Sequence, residues 1–573
     1  MPIHNADIQR LFQELADLLE IEGANPFRAR AYRNAARTVT GLSESIADKV
    51  KKQEDLTGLQ GIGKDLAEKM KEIVQTGSLQ DLEEARKRVS PELASLLKIS
   101  GLGPKKVKAL HEQLGITSIQ DLQQAAQSGK ISDLSGFGSK TESSILEELE
   151  RFSSREERFT LDAVEAVVQS LESFLESLSS VNQVTTAGSY RRRKETVGDI
   201  DILVTADEPD TVMNAFVQHE EVAEVLVQGS TKTSIKHRMG IQVDLRVVPE
   251  ASYGAALHYF TGSKAHNIAV RKLALERSYK INEYGVFQGE KTLAGRTEEA
   301  VYGQLDLPWI PPELREDRGE IQAAQHGTLP ELITERDLRG DLHCHTNWSD
   351  GRQSLEEMAR AAQDMGYEYL AVTDHTHNLK VVNGLGPERL AQQIEAIDAI
   401  NKRMEGFTLL KGAEVDILED GRLDLPDDIL QRLDLCVCSV HTRFKLSRQQ
   451  QTERILMAMD NPYCTVLGHP SGRLLGSREP YDLDMDQILN KAEATGCCIE
   501  INSQPDRLDL ADTHCKAAKD MGITLVISSD AHRPSGLQAV RYGIGQARRG
   551  WLEPRDVLNT RPLQDLWKRL KRT

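Results

Sequence analysis

The chain has 573 residues, 28% of them charged and 39% hydrophobic, and a formal net charge of −17; that length is too great for one hydrophobic core, so a multidomain globular protein is expected. No uninterrupted apolar run approaches the roughly 20 residues a membrane helix needs, which excludes a spanning segment. The start, MPIHNADIQRLFQELADLLEIEG, alternates acids with leucines and has no basic stretch followed by an apolar one, so no secretory signal is expected.

The acidic total does not exclude nucleic acid, because a partner meets a local face rather than the sum. Basic clusters occur at Arg28, Arg30 and Arg33, at Lys105, Lys106 and Lys108, and at Arg191 to Lys194. Within the first 150 residues a short unit recurs: LQGIGKDLAEKM at 59–70, ISGLGPKKVKAL at 99–110 and LSGFGSKTESSI at 134–145. Each is an apolar residue, a Gly-x-Gly turn (Gly61 and Gly63, Gly101 and Gly103, Gly136 and Gly138) and an amphipathic helix. Such a turn leaves backbone N–H groups exposed at a helix N-terminus, which binds a phosphate without reading a base. The units resemble helix-hairpin-helix domains. Upstream, NPFRARAYRNAA at 25–36 resembles the segment of the polymerase beta-like amino-terminal domain that meets a 5′-phosphate at a gap. That resemblance implies DNA contacts for Arg28 and Arg33. It also puts Lys69 at the position of a lysine that attacks an abasic sugar as a Schiff-base nucleophile, although Asp65 stands where the family has a second basic residue.

Farther along, VTTAGSYRRRKETVGDIDILV reads as strand, turn, strand. Side chains alternate along a strand, so Asp199 and Asp201 share one face while Ile200 and Ile202 pack on the other. In IQVDLRVV, Asp244 shares a face with Gln242 and Arg246. If the two strands are neighbours, three carboxylates meet at one point, as two divalent ions about 3.5 to 4 Å apart require. Gly188 and Ser189 open a turn that offers donors to a triphosphate, and Arg192 adds charge. The whole string resembles the family X DNA polymerases. That resemblance implies that Asp199 and Asp201 bind two Mg²⁺ or Mn²⁺ ions. It further implies that Asp244 binds one of them and helps activate a primer 3′-hydroxyl, while Ser189 and Arg192 hold phosphates. LHYFTGSKAHNIAVRKLALERSYKINEYGVF at 257–287 is similar to the thumb of that family. The likeness places Tyr259, Phe260 and Gly262 at the sugar, Asn267 at the minor-groove side of the incoming base and Arg271 at the template. Gln242 is a departure, standing where the polymerase beta-like pattern has an arginine beside the third carboxylate.

After LPWIPPELREDRGEIQAAQHGTLPEL, whose prolines and charges read as a connector, strand-like runs end as DLHCH, YLAVTDH, LLKGAEVD, LCVCSVH, TVLGHP, CCIEIN and LVISSDAH. Helix-length stretches separate them. In a barrel of parallel strands the carboxyl ends converge on one face, so these histidines and acids form a polynuclear metal site. The set resembles the PHP (polymerase and histidinol phosphatase) domain. That resemblance implies His343, His345, Asp350, His375, Glu414, His441, His469, Asp530 and His532 as ligands. Imidazole and carboxylate together suit Mn²⁺, Zn²⁺ or Fe²⁺, up to three ions. His377 lies outside the pattern and reads as a surface residue or as one standing behind the ligands. Cys436, Cys438, Cys497 and Cys498 fall in apolar runs and read as buried thiols. Seven cysteines without disulfide spacing fit a reducing compartment, so the location expected is cytoplasmic.

The fold class expected is therefore multidomain α+β and α/β. Helical helix-hairpin-helix domains (1–85 and 86–150) precede a nucleotidyltransferase palm (151–253), a thumb (254–318), a linker (319–337) and a distorted (β/α)7 PHP barrel (338–573). The resemblance implies a monomer that fills short gaps in gapped or primed double-stranded DNA from dNTPs during base excision repair. The barrel is expected to act as a 3′–5′ exonuclease or 3′-end-processing phosphoesterase, with abasic-site cleavage as an additional activity. Gln242 motivates an alternative, a DNA-end-binding hydrolase or scaffold with weak polymerase activity.

Overall fold

In a computed structural model, residues 5–570 are described apart from 41–45, 53, 60, 91–92, 95, 100–101, 133, 135–136, 139–140, 144, 147–148 and 150–157. The chain divides into two compact units, Met1–Glu156 and Glu157–Thr573. Among the described residues no helix is long and apolar enough to cross a membrane.

The first unit is helical. Helix Asn5–Ile21 buries Leu11, Leu15, Leu18 and Leu19 at helical spacing, against Tyr32 and Ala36 of helix Pro26–Thr40. One hydrophobic cluster runs from Ile8 to Leu149, so the stretches read as 1–85 and 86–150 share a core. Helices Lys64–Thr76 and Pro104–Leu114 begin at Gly63 and Gly103 with no side-chain cap, which leaves their first N–H groups open. Gly61 holds φ +77°, the left-handed backbone that the first hairpin needs. The Gly138 carbonyl accepts from Thr141 N–H at 2.8 Å. Gly101 and Gly136 lie outside the described residues.

The second unit opens with a five-stranded sheet in the order Val181–Thr186, Asp199–Ala206, Gln242–Val247, Lys232–His237, Val222–Gln228. Ile200, Ile202 and Val204 face helices Leu161–Glu176 and Pro209–Val217, whose Val164, Leu171, Val212 and Phe216 are buried. Helices Tyr253–Thr261 and Lys264–Glu276 and a three-stranded sheet follow. The stretch read as a connector is tied at both ends: Ile321, in helix Glu320–His326, joins the core of these elements, and Ile333 joins the core of the next.

That next region is a parallel sheet of seven strands in sequential order: Gly340–Cys344, Tyr369–Val372, Thr408–Asp416, Leu435–Ser439, Val466–Leu467, Cys498–Asn502 and Leu525–Ser528. A parallel bridge between Cys344 and Ala531, with Asp530 N–H donating to the His343 carbonyl at 3.0 Å, joins the last strand to the first. Inside, Leu342, Tyr369, Leu410, Val437 and Val526 pack on Leu566 of the terminal helix Leu563–Leu570, which plugs one end. Leu508 and Tyr542 of this barrel enter the core of the five-stranded sheet, so sheet and barrel share apolar packing.

Candidate active sites

In the five-stranded sheet, Asp199–Ala206 runs parallel to Gln242–Val247, with Asp201 opposite Asp244 and Asp199 opposite Gln242. The strand adjacency required by the sequence is present, and Asp201 feels the charges of both Asp199 and Asp244. Burial pushes the Asp201 carboxyl up to about 7, reinforced by the charges of Asp199 and Asp244. That repulsion is relieved when cations sit between the groups. Asp244 behaves oppositely: burial opposes ionisation, but Lys232 Nζ at 2.8 Å and Gln242 Nε2 at 2.9 Å hold it below the usual carboxylate range. Gln242 thus serves the third carboxylate directly.

Gly188 has φ +63°, and a Cβ there would lie 3.0 Å from Asp201 Oδ2, so only glycine admits the turn over the carboxylate. Beyond the turn opens a cavity of about 770 Å³, lined by Gly188, Ser189, Arg192, Asp199, Asp201, Tyr259, Phe260, Gly262, Asn267 and Arg271. Lys194, of the basic cluster at 191–194, lines it too, as do Arg158, Glu195, Lys264 and Ile268, which the sequence did not single out. Tyr259 and Phe260 meet edge to face at 5.0 Å; Arg271 lies over the Tyr259 ring at 5.1 Å and Arg246 over Phe260 at 4.3 Å. These cations steady the rings. Asn267 Nδ2 donates to the Tyr259 carbonyl at 2.7 Å, while its buried Oδ1 has no hydrogen-bond partner. Arg192 is spoken for on two sides, Nε donating to Glu316 Oε1 at 3.0 Å and Nη1 to the Thr261 carbonyl.

At the carboxyl ends of the barrel strands all nine expected residues come together. Three groups of donors each converge within 4.8 Å: His345, Asp350, His375 and His532; His343, His345 and Asp530; His375, Glu414 and His441. His469 Nε2 lies 2.9 Å from Glu414 Oε1, so Glu414 touches both His441 and His469 through one oxygen. Burial opposes charge on Glu414, yet His441, His375 and His343 hold it well below the usual range. Buried His343 Nε2 and both ring nitrogens of His345 have no hydrogen-bond partner. Unsatisfied imidazole nitrogens beside ionised carboxylates fit divalent cations of the Mn²⁺, Zn²⁺ or Fe²⁺ kind. Asp350 and His532, 27% and 38% exposed, form the open mouth. His469 and Asp530 hold φ of 26° and 52°, strained backbone of the kind that clusters at functional sites. His377 stands apart, half exposed beside Asp424.

Sequence reasoning gave no role to the groups behind the ligands. Glu500 Oε1 lies 2.6 Å from His343 Nδ1, and its Oε2 accepts from His469 N–H at 2.6 Å. Asp416 pairs with His441 Nδ1. Asp374 accepts from Thr346, Ser349 and Gln393, and Asn502 Nδ2 donates to Asp530 at 2.9 Å. Glu500 and Asp416 thereby orient the His343 and His441 rings, while Asn502 holds the Asp530 carboxylate. The only linear signal was an acid inside the same strand-end runs, in TDH, AEVD and CIEIN.

In the helical unit, Arg28 Nη2 and Tyr32 Oη donate to Asp81 at 2.6 and 2.9 Å, and Arg33 pairs with Asp17 and Glu20. Lys69 Nζ lies 2.8 Å from Asp65 and 3.2 Å from Asp81. Burial would lower its pKa, but these carboxylates raise it above the ordinary lysine value, so the amine stays protonated.

Comparison with known proteins gives five matching family models. Residues 3–79 match the helix-hairpin-helix domain and 93–151 the SAM-like helix-hairpin-helix tandem. Residues 158–256 match the DNA polymerase beta palm, 256–316 the DNA polymerase beta thumb and 341–504 the PHP domain. The chain is 38% identical over 576 residues, all of both chains, to the DNA polymerase/3′-5′ exonuclease PolX of Bacillus subtilis (strain 168). Over 34% of its length it is 32% identical to a probable phosphatase of Thermoanaerobacter sp. (strain X514), covering 78% of that protein. It is 28% identical to a probable phosphatase of Caldicellulosiruptor bescii, again over 34% of the chain and 80% of the relative.

Proposed function

The chain belongs to the family X DNA polymerases that carry a C-terminal PHP domain, and on that premise we propose how its two centres divide the work. It is a DNA polymerase and 3′–5′ exonuclease. It acts as a cytoplasmic monomer on gapped or primed double-stranded DNA, using dNTPs to fill short gaps in base excision repair. The observation that carries the polymerase reading is the register of Asp201 against Asp244 beneath the cavity of Ser189, Arg192 and Tyr259.

Mg²⁺ or Mn²⁺, held by Asp199, Asp201 and Asp244, supplies charge neutralisation and in-line alignment for phosphoryl transfer. Asp244, kept ionised by Lys232 and Gln242, is the acceptor toward the primer 3′-hydroxyl proton. The Gly188–Ser189 turn and Arg192 bind the triphosphate, Tyr259 and Phe260 wall the sugar, and Asn267 Oδ1 offers an acceptor to the incoming nucleotide. Arg271, over Tyr259, meets the template. Because Gln242 bonds to Asp244, it gives no support to a scaffold with an idle palm.

In the barrel, Mn²⁺, Zn²⁺ or Fe²⁺ supplies Lewis acidity and an activated water for phosphodiester hydrolysis. The partly exposed rim of Asp350 and His532 admits a DNA 3′ end, while buried Glu414 and His469 fix the floor. Abasic-site cleavage at the same centre extends this proposal. The open helix starts at Gly63 and Gly103 grip DNA phosphates, joined by Gly61, Gly101, Gly136 and Gly138 in the hairpins and by Arg28 and Arg33. We assign Lys69 to that same binding rather than to Schiff-base chemistry, since two carboxylates hold it as an ammonium.

The test is single-nucleotide insertion on a one-nucleotide gapped duplex, run beside 3′ removal from a primer, each under Mg²⁺ and under Mn²⁺. Insertion templated by the gap, together with metal-dependent 3′ removal, is expected. Failure of templated insertion with every dNTP under both ions would sink the polymerase assignment.

A further inference from the structure

The turn at 188–195 lines the nucleotide cavity on one side, and on its other side it rests on the phosphoesterase barrel. Arg549, last residue of barrel helix Val540–Arg549, has a side chain only 2% exposed. Its Nη1 donates to the Arg192 carbonyl at 2.9 Å and to Glu316 Oε1 at 3.0 Å; its Nη2 donates to Asp512 Oδ2 at 2.6 Å. Glu316 Oε1 is the same oxygen that accepts from Arg192 Nε at 3.0 Å. One barrel arginine therefore holds both the backbone of Arg192 and the carboxylate that aims its guanidinium. Asp512 is shared with Arg318 at 3.0 Å, which ties the far end of the fork.

The neighbours follow the same plan. Arg473, on the loop that follows His469, places Nη2 2.7 Å from Glu195 of the cavity wall. A Cβ on Gly545 would lie 3.3 Å from the Cβ of Arg193, so helix and turn meet closely.

The geometry points to Arg549 as a positioning residue of the polymerase site: the barrel orients Arg192 toward the dNTP triphosphate, independently of the barrel's own chemistry. This rests on the triphosphate role assigned above to Arg192. A guanidinium fixed at Nε by Glu316 and at Nη1 by the Thr261 carbonyl keeps its remaining nitrogen for a ligand. Arg549 removes the freedom of Glu316 to turn away, which is how an outer partner preorganises a binding group. No atom of Arg549 lies among the barrel's metal-binding residues, so hydrolysis has no need of it.

The experiment is steady-state insertion on a one-nucleotide gap with the full chain carrying Arg549→Lys, Arg549→Ala or Arg192→Ala, with 3′ removal measured in parallel. Arg549→Lys keeps a cation between Glu316 and Asp512 but cannot form the three-way fork. KM for dNTP is expected to rise about tenfold in Arg549→Ala, the low end of what losing an orienting partner costs, and less in Arg549→Lys. Turnover at saturating dNTP and 3′ removal stay unchanged. Combining Arg549→Ala with Arg192→Ala should add nothing to Arg192→Ala alone. If Arg192→Ala itself leaves KM unmoved, the triphosphate reading of Arg192 fails. If Arg192→Ala raises KM while neither Arg549 variant does, or if both Arg549 variants lose insertion and 3′ removal together, the positioning role of Arg549 is overturned.

Discussion

Asp201 and Asp244 are register partners on adjacent parallel strands, yet their environments drive them apart: burial pushes Asp201 up to about 7, while Lys232 and Gln242 keep Asp244 below the usual carboxylate range. A pair so arranged, with Asp199 on the same face, is costly without cations and stable with them.

Asp201→Ala is expected to abolish nucleotide insertion and leave 3′ removal at wild-type rate, and His343→Ala to do the reverse. Both assays on the same preparations decide it. Loss of both activities in either well-folded variant would refute two independent centres.

Glu500 fixes His343 through Nδ1 and His469 through its backbone N–H. Glu500→Gln keeps the shape but weakens the anionic partner, and a 10- to 100-fold loss of 3′ removal or metal affinity is expected, as for other outer partners of metal-binding histidines. Metal titration of the hydrolytic rate would report it, with insertion as the unaffected control.

Glu298 is nearly buried between Arg315 Nη1 at 2.6 Å and Arg191 Nη2 at 2.8 Å. Burial opposes its charge, but the two guanidiniums hold it far below its ordinary value of 4.5. A depressed folded value means stabilisation that is complete above pH 4.5 and drains away as pH falls below it. Glu298→Gln should cost about 3 to 5 kcal/mol near neutrality and flatten the acid limb of thermal stability. A variant with the wild-type slope between pH 6 and 3 would contradict this.

Lys69, paired with Asp65 and Asp81, is expected to form no borohydride-trapped cross-link with an incised abasic duplex. A trapped product that vanishes in Lys69→Ala would show that DNA displaces Asp81 and frees the amine.

Much of this was legible in one dimension. Alternation along DIDIL and QVDLRV put Asp199 and Asp201 on one face and Asp244 beside Gln242 and Arg246, and the resemblance to the PHP domain named the nine barrel residues that converge. Those features are local, because strand periodicity and motif spacing are properties of a few consecutive residues. The residues behind the ligands were not, since an acid such as Glu500 looks like any other until the first and sixth strands of the barrel bring it to His343, 157 positions away. The same holds for Asp81, whose charge neutralises Lys69, and for Arg549, 357 positions from the carbonyl it holds.

The amino-acid order by itself thus determined which side chains share a strand face and where glycine turns precede helices. Only the tertiary structure decided the pairing of Lys69 with Asp81, the anchoring of His343 and His441 and the resting of the turn at 188–195 on the barrel. Those depend on distances of a few ångströms between segments hundreds of residues apart, where Coulomb and hydrogen-bond energies act through space and not along the chain.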